Sequence, residues 1–382
     1  MNYIAHLKQV STQQTYDVPE AFINLPFNEK IIKSTLAVKD ALFLSELKYI
    51  LVIGIGGSNL GTKAIYDALY GHFDNLESNR FPKILFLDTV EPVFLDKLLK
   101  FVSENVKKAD DLVINLISES GTTTESLFNF KTFIAGFPQF QNRVVITTTE
   151  KSPLWQQPEY KHKLAIPQKI SGRYSIFSNV GLFPLACANI DIVSLLEGAM
   201  EATKECLQEN NQAMQNAAAA FQNLQNKKVI NENIYFAPQL ESLGKWHRQL
   251  VAESLGKDKK GFTPTVAIGS TDMHSMTQLH LGGPQDKFFN FVSVKNDHSG
   301  AAQVQTAILE SVKQAYKNAG LFVTETVLPS ISEKALGRFM QTKMFEIIFL
   351  AQLLSVNAFD QPNVEDYKKA TKIFLQNLHE KL

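Results

Sequence analysis

Short apolar runs rich in β-branched residues alternate with segments of helical period between residues 49 and 356. Such alternation is typical of parallel β-sheets covered by helices on both faces. It occurs in two sets, which are separated by a long connection through Trp155 and Pro167 to Ser171 and by a helical stretch. Because 382 residues are long for one hydrophobic core, we expect two compact α/β domains.

The ranges of the predicted elements follow from the apolar runs and the turn signals between them. The predicted strands of the first set are Tyr49–Ile55, Ile84–Leu87, Leu112–Ile117 and Val144–Thr148. Those of the second set are Ile234–Ala237, Pro264–Ile268, Phe288–Val294 and Leu321–Val327. One helical stretch is expected from Asn179 to about Gln225, with further helices over Gln239–Leu255 and over residues 363–381.

Composition excludes several classes of partner. Lys plus Arg equals Asp plus Glu at 38 each, so no net charge attracts nucleic acid or an anionic membrane surface. No segment approaches the roughly 20 apolar residues that cross a bilayer. Cys187 and Cys206 lie in apolar helical stretches, and the amino terminus lacks the apolar core of a signal peptide. We therefore expect a cytoplasmic protein.

The first loop with chemical content is GIGGSNLG at residues 54–61, between an apolar strand and a helix. Its glycines permit close backbone approach, and the free N–H groups of the helix start suit a phosphate. The sixth position is Asn59 and not a small residue, so the dinucleotide fingerprint is incomplete, although Asp88 keeps a dehydrogenase open. Thr62 replaces the lysine of a nucleotide P-loop. A tight turn without ligand is the alternative.

The second loop, SESGTTTES at residues 118–126, also joins a strand to a helix. Because ligands of open parallel sheets bind beyond the carboxyl ends of the strands, we expect both loops at one edge of the sheet. Their hydroxyls could converge on phosphate oxygens; the candidates are Ser58, Ser118, Ser120, Thr122 and Thr123. Helix capping is the alternative role for any one of them.

Four side chains are candidates for acid–base chemistry. Arg173 lies in the connection between the two sets, where a guanidinium could stabilise an oxyanion or form an ordinary ion pair. Glu253 falls near the buried side of its predicted helix, as a general base would, but it could equally be a helical surface glutamate. His274 follows a predicted strand, and Lys368 falls in the first or second turn of the last helix.

No catalytic metal is predicted. His274 and His280 are six positions apart, which does not place two ligands on one helix face, and no cysteine pair accompanies them.

Taken together, six motifs resemble those of the glucose-6-phosphate isomerase family in its shorter bacterial form, which is built from two sugar-isomerase (SIS) domains. The motifs are GIGGSNLG, SESGTT, GRYS, AESLGK, TDMHS and FDQPNVEDYK, in the family's order. The resemblance implies two three-layer αβα, flavodoxin-like domains with parallel sheets. We accordingly divide the chain into an N-terminal helical segment (1–48), a first SIS domain (49–190), a second SIS domain (191–356) and a C-terminal helix that returns to the active site (357–382).

The resemblance also implies a reaction: reversible isomerisation of glucose 6-phosphate and fructose 6-phosphate without a cofactor. Glu253 would move a proton between C1 and C2 through a cis-enediol, and Arg173 would stabilise its negative charge. His274, supplied by the second subunit of a homodimer, would assist ring opening together with Lys368. The phosphate would bind Ser58, Ser118, Ser120 and Thr123 beside Gly57, and Gln361 would hold sugar hydroxyls.

Three positions depart from the family pattern. Glu119 stands where many members have lysine, and we expect its side chain to point away from the phosphate. Ser171 and Asn363 replace small glycine-like residues. Two alternatives are left open: an isomerase that also accepts mannose 6-phosphate, and a SIS-type regulator that is not an enzyme. In a regulator, Glu253, His274 and Lys368 would have no joint purpose.

Overall fold

In a computed structural model that describes residues 3–13, 15–42, 47–295 and 299–379, the two predicted sets form two all-parallel sheets. The first has five strands in the order β2-β1-β3-β4-β5: β1 Tyr49–Ile53, β2 Lys83–Leu87, β3 Leu112–Ile117, β4 Val144–Thr148 and β5 His162–Ala165. The second has four in the order β7-β6-β8-β9: β6 Ile230–Tyr235, β7 Thr263–Ile268, β8 Lys287–Val294 and β9 Val323–Leu328. The predicted α/β class with two parallel sheets is confirmed.

Helices precede, connect and cover the sheets. They are α1 Tyr3–Ser11, α2 Glu29–Leu42, α3 Leu60–Tyr70, α4 Pro92–Asn105, α5 Thr124–Gly136, α6 Asn179–Cys187, α7 Ile192–Cys206, α8 Gln212–Gln225, α9 Glu241–Leu255, α10 Met273–Gly282, α11 Gly300–Asn318, α12 Glu333–Leu354 and α13 Glu365–His379. Residues 380 and 381, where the last helix was predicted to end, lie outside the described residues.

The helical stretch expected over residues 179–225 is present, but it is divided into α6, α7 and α8 because the chain turns twice within it. Asn189 adopts the left-handed conformation (φ 61°), and Asp191 then caps α7 by accepting hydrogen bonds from the amides of residues 193 and 194. Asn210 (φ 57°) and the capping Asn211 repeat this arrangement before α8. Asparagine tolerates the left-handed region and caps helices well, which explains both breaks.

Two strand predictions also need correction. The strand β6 begins at Ile230 instead of Ile234, since its first half carries polar residues that are nevertheless buried. The amide of Asn233 donates to the main-chain oxygens of Asn231 and Thr265, so the polar run is satisfied inside the sheet. The edge strand β5 was missed because it is short and only Leu164 is buried.

The strand order brings the two hydroxyl-bearing loops together. β1 and β3 are neighbours, but the chain leaves β1 towards β2 on one side and leaves β3 towards β4 on the other. Such a reversal opens a crevice beyond the carboxyl ends of the two strands, where ligands of open α/β sheets bind. The loops after β1 and β3 both border this crevice.

The helix α9 connects the two halves. It lies between β6 and β7 in the chain and packs against α3 of the first unit. In a parallel βαβ unit the helix runs antiparallel to the strands that it connects. The carboxyl end of α9 therefore lies near the amino ends of the strands of the second sheet. The Ser242 hydroxyl donates to Asp67 of α3, and Trp246, Leu250 and Leu255 are buried. The end of α9 therefore meets the carboxyl edge of the first sheet.

The N-terminal segment packs against the connection that carries Arg173 and against the C-terminal turn. Phe22 packs against Tyr174 at a ring-centroid distance of 4.7 Å and against Phe359 at 6.3 Å. Thr35 of α2 donates to the side chain of Asn179 in α6 over 2.8 Å. These contacts fix the connection that carries Arg173 against the C-terminal turn.

Candidate active site

The first loop approaches the Arg173 turn so closely that no side chain fits between them. A Cβ added to Gly57 would lie 2.3 Å from the carbonyl carbon of Gly172. Gly56 has a φ of 60°, in the left-handed region that favours glycine, and a Cβ there would lie 2.9 Å from the side-chain amide nitrogen of Gln249. The loop, the Arg173 turn and α9 thus share one wall of the crevice.

The second loop presents its hydroxyls as two pairs. Ser118 Oγ lies 3.0 Å from Thr123 Oγ1, and the Thr122 hydroxyl donates to Ser120 Oγ over 3.0 Å. Ser118 is buried, whereas Ser120 and Thr122 are exposed. Gly121 has a φ of 68°, which permits the sharp turn between the pairs. Four hydroxyls are therefore grouped around Gly121 in the loop that borders the crevice, and their contact with a phosphate stays a prediction.

The two helices that follow these loops, α3 and α5, start without a side-chain cap. Thr123 and Asn59 are the N-cap residues of α5 and α3, and neither side chain caps its helix. By contrast, α4, α6, α7, α8, α11 and α12 each have a side-chain cap. Uncapped N-termini leave amide N–H groups available and carry partial positive charge, which favours an anion between the two loops.

Asp88 is held by Asn59 rather than left open to a ligand. The Asn59 amide donates to Asp88 Oδ2 over 2.8 Å. Asp88, the acidic residue that favoured a dinucleotide-binding site, is thus already hydrogen-bonded to the first loop.

Arg173 is 2% exposed and is anchored on both sides. Its Nε donates to Ser254 Oγ over 2.8 Å, and its Nη1 donates to Glu253 Oε2 over 3.2 Å. Its Nη2 donates to the main-chain oxygens of Ala358 (2.5 Å) and Asp360 (3.1 Å). The guanidinium joins α9 to the turn before α13.

Glu253 is the carboxylate at this junction. Its side chain is 31% exposed, and its second oxygen, Oε1, accepts a hydrogen bond from Gln249 Nε2 over 2.8 Å. Because Gln249 also lies over Gly56, the carboxylate is held next to the first loop. Glu253 is therefore fixed in orientation while part of it stays open to the crevice, which is what a general base requires.

The C-terminal turn supplies the remaining side. Lys257 is buried and binds Asp360 Oδ1 over 3.0 Å and the main-chain oxygen of Asn357. Burial lowers the pKa of Lys257, and the carboxylate of Asp360 acts in the opposite direction. Gln361 follows directly and is exposed. The predicted hydroxyl-binding glutamine is thus next to the backbone that anchors Arg173.

Glu119 is exposed between Ser118 and Ser120, and the direction of its side chain stays a prediction. Desolvation by the surrounding protein raises the pKa of its carboxyl group, and the charges of Arg173 and Lys368 act in the opposite direction. Lys368 itself pairs with Glu365 over 3.0 Å.

His274 is not brought to the Glu253 cluster of its own chain. It is exposed in the first turn of α10, just beyond the end of β7. Glu253 lies near the end of α9, at the edge where β7 begins. The six residues of β7 span about 17 Å, so the two side chains belong to opposite edges of the second sheet.

Sequence reasoning missed three residues of the site, namely Gln249, Ser254 and Lys257. Gln249 precedes Glu253 by one helical turn, so i, i+4 spacing could have identified it. Ser254 and Lys257 contact residues about 80 and 100 positions away in the sequence, and no periodicity signals such contacts. No cluster of three His, Cys, Asp or Glu side chains suited to a metal occurs within the described ranges.

Comparison with known proteins agrees with this geometry. A sequence model of the family described as phosphoglucose isomerase matches residues 41–274. A glucose-6-phosphate isomerase of Methanocaldococcus jannaschii is 31% identical to the chain, over 92% of each protein. The chain belongs to the phosphoglucose isomerase family.

Solved structures support the same assignment at the level of the fold. A hypothetical protein from Thermus thermophilus superposes with a TM-score of 0.84 and 28% identity, covering 97% of this chain and 93% of that one. A glucose-6-phosphate isomerase from Chlamydia trachomatis superposes with a TM-score of 0.77 and 20% identity, covering 91% and 74%. Membership of the phosphoglucose isomerase family accounts for the two parallel sheets and for the motifs that meet between them. Within the part of the chain that the structure describes, no helix has the length and apolar character needed to cross a bilayer.

Proposed function

We propose that this protein interconverts glucose 6-phosphate and fructose 6-phosphate, with Glu253 as the base. The observation that carries the proposal is the oriented carboxylate of Glu253. It accepts hydrogen bonds from Arg173 and Gln249 and lies beside a crevice with two hydroxyl-bearing loops. Membership of the phosphoglucose isomerase family gives the reaction class.

The phosphate binds between the two loops in this proposal. The candidate contacts are the hydroxyls of Ser58, Ser118, Ser120, Thr122 and Thr123, with Gly57 allowing close backbone approach. The uncapped starts of α3 and α5 support this placement because their free amides and partial positive charge favour a dianion.

Proton transfer then takes place at the other end of the substrate. Glu253 removes the proton from C2 of the open-chain aldose and returns it to C1; O1 gains a proton as the cis-enediol forms, and O2 loses its proton as the cis-enediol becomes the ketose. Arg173 stabilises the developing negative charge by hydrogen bonds that need no rearrangement, since its guanidinium is already held by α9 and by residues 358–360. Gln361 holds sugar hydroxyls.

Ring opening is assigned to Lys368 and to His274 of a second subunit. The separation of His274 and Glu253 within one chain supports a homodimer in which each site borrows the histidine of its partner. The C-terminal helix supports it too: Ile373 is 57% and Phe374 is 69% exposed on α13, an apolar surface that a second copy would cover.

The domain boundaries and the location are also proposed. The boundaries near residues 48, 190 and 356 separate a helical segment, the loop-bearing first domain and the second domain, and residues 357–382 return to the site. A cytoplasmic location accords with the free, buried thiols of Cys187 and Cys206.

A coupled assay tests the central proposal. Conversion of fructose 6-phosphate to glucose 6-phosphate should be measured with and without a metal chelator, and mannose 6-phosphate should be assayed beside it. We expect isomerase activity that chelator does not reduce. Absence of any aldose–ketose conversion would contradict the proposal, and equal rates on both aldoses would extend the substrate range.

The role of His274 is tested by mixing two inactive variants. Glu253→Gln and His274→Ala subunits are unfolded together and refolded, so that mixed dimers form. If His274 acts across the interface, each mixed dimer has one intact site, and roughly a quarter of the wild-type activity returns. If both residues act within one chain, mixing restores nothing.

A further inference from the structure

The C-terminal turn, residues 357–360, is the link through which α13 is attached to the site. Beyond it, no side chain between residues 361 and 377, a range that the structure describes in full, is buried. Gln361 and Lys368 therefore lie in a segment that no buried side chain anchors. Their position at the crevice depends on how the turn is held against the rest of the chain.

Part of the hold on the turn is apolar or local. Ala358 is buried, and the ring centroid of Phe359 lies 5.2 Å from that of Tyr174. Within the turn, the Phe359 amide donates to Asn357 Oδ1 over 2.9 Å, and Asn357 Nδ2 donates to Asp360 Oδ2 over 3.0 Å. These contacts shape the turn, but they do not join it to α9.

Two cations join the turn to the end of α9. Arg173 is the first, through the Ser254 hydroxyl and two main-chain oxygens of the turn. Lys257, two residues beyond the end of α9, is the second. Its Nζ donates to the main-chain oxygen of Ser254 over 3.2 Å and to that of Asn357, and it pairs with Asp360 Oδ1 over 3.0 Å. Each cation thus bridges α9 and the turn.

The Lys257 ammonium is fully used by these contacts. An ammonium has three N–H donors, and its three partners are two main-chain oxygens and one carboxylate. Lys257 is 7% exposed, and a buried charge costs free energy unless it is paired and hydrogen-bonded in this way. The side chain has no donor left for a substrate, so it acts through the turn.

We propose that Lys257 is a positioning residue, which fixes the C-terminal turn against α9 and so holds Gln361 and Lys368 at the sugar. The inference rests on the proposed function for the roles of Gln361 and Lys368. Charge-assisted hydrogen bonds are stronger than neutral ones, so loss of the ammonium loosens the turn although its apolar contacts remain.

Substitution of Lys257 by Met tests the inference, because it removes the ammonium and keeps an unbranched side chain. Hydrogen exchange of the amides of residues 357–370 should become roughly tenfold faster than in wild type. With fructose 6-phosphate, kcat should fall roughly tenfold and KM should rise roughly threefold. Partial unfolding would lower the active fraction and leave KM unchanged, so the rise in KM reports on positioning.

Two further variants serve as the conservative replacement and the matched control. Lys257→Arg keeps the charge and should restore most of the slow exchange and of kcat. Lys260→Met removes an exposed lysine of the same loop, whose Nζ donates to the main-chain oxygen of Leu354 over 2.9 Å, ahead of the turn. It should match wild type in exchange, kcat and KM.

Hydrogen exchange needs no turnover, so the two proposals fail separately. If the wild type isomerises neither sugar phosphate but exchange is faster in Lys257→Met and not in Lys260→Met, the proposed function is lost and the anchoring by Lys257 stands. Exchange as slow as in wild type, or faster exchange with unchanged kcat and KM, would overturn the inference.

A milder variant covers the case in which Lys257→Met does not fold. Asp360→Asn removes the charge of the partner carboxylate, whose side chain is 50% exposed, and leaves the main-chain contacts of Lys257 in place. It should accelerate exchange of residues 357–370 by a smaller factor than tenfold and raise KM. Wild-type exchange in Asp360→Asn would overturn the inference.

Discussion

Arg173 is the residue on which the geometry of the site depends most. A buried charge is tolerated only where it is paired and hydrogen-bonded, and its guanidinium binds a carboxylate, a hydroxyl and two main-chain oxygens. Ser254 Oγ also lies 3.0 Å from the hydroxyl of the buried Tyr174, so the anchor continues into the core. The position of the guanidinium beside Glu253 is therefore set by the fold.

Replacing Glu253 by Gln should leave substrate binding nearly normal and reduce kcat by at least about 10²–10⁴. The amide is similar in size to the carboxylate but cannot accept the proton. Steady-state kinetics of fructose 6-phosphate conversion measure the effect. Glu241→Gln is the control and should have wild-type kinetics, because the Glu241 side chain, in the first turn of the same helix, is 41% exposed and pairs with Lys245. A Glu253→Gln variant with near wild-type kcat would exclude Glu253 as the base.

Replacing Arg173 by Lys should reduce kcat roughly 10²-fold or more, even though the charge is kept. An ammonium cannot reach Ser254, Glu253 and the two carbonyls at once, so the charge is no longer held in place. The measurement is kcat with circular dichroism as a check on folding. Arg338→Lys, whose arginine is 44% exposed and pairs with Glu201 and Glu205, should behave like wild type. Equal kcat values for the two variants would contradict the role of the Arg173 guanidinium in holding the charge in place.

At the scale of elements, close packing of α7 against α12 holds the second unit together. A Cβ on Gly198 would lie 1.9 Å from the main-chain oxygen of Lys334, and one on Gly337 would lie 2.0 Å from that of Leu195. The two helices approach so closely because glycine lies at each crossing point. Helix α12 also packs against α9, so this contact supports the element that carries Glu253.

Gly337→Ala should therefore lower the free energy of unfolding by about 1–3 kcal/mol, since the added methyl group overpacks a backbone contact. Urea denaturation followed by circular dichroism measures the change. Gly300→Ala is the matched control at the start of α11, where an added Cβ meets nothing within 4 Å. A Gly337→Ala protein as stable as Gly300→Ala would show that α7 and α12 are not in contact at this point.

At the scale of the whole molecule, two buried histidines make stability depend on pH. Burial, with Lys343 nearby, lowers the pKa of His247 well below its ordinary value, and burial lowers that of His280 to about 4. Both are neutral in the folded protein, but in the unfolded chain they bind protons near pH 6.5. The unfolded state thus gains protons as the pH falls, and folding stability is lost from about pH 6.5 downwards.

The loss should reach up to about 1.4 kcal/mol per pH unit for each histidine below its unfolded pKa. Urea denaturation between pH 7.5 and 5 measures the slope, which His247→Gln and His280→Gln should each make shallower. The raised pKa values of Glu119 and Glu232 act in the opposite direction, so the comparison is made between variants. His72→Gln, at an exposed position, should keep the wild-type slope. Parallel slopes for all four proteins would contradict this origin.

The sequence by itself determined the class of fold and the chemistry of the loops. Short apolar runs that alternate with helical segments indicate parallel strands, because strands that are buried on both faces must be apolar. The limits of β3 and β4 were predicted to the residue. The positions of the two hydroxyl-bearing loops could likewise be predicted from the sequence. Glycine and hydroxyl residues between a strand and a helix indicate a loop through their local conformational preferences alone. The helix that contains Glu253 was predicted from the helical periodicity of its own apolar residues.

Only the tertiary structure decided which of these pieces meet. The contacts of Arg173 with Ser254 and with residues 358–360 join segments far apart in the chain, and local patterns carry no signal for them. The same holds for β6, whose polar half is buried only because Thr265 and Asn290 lie beside it.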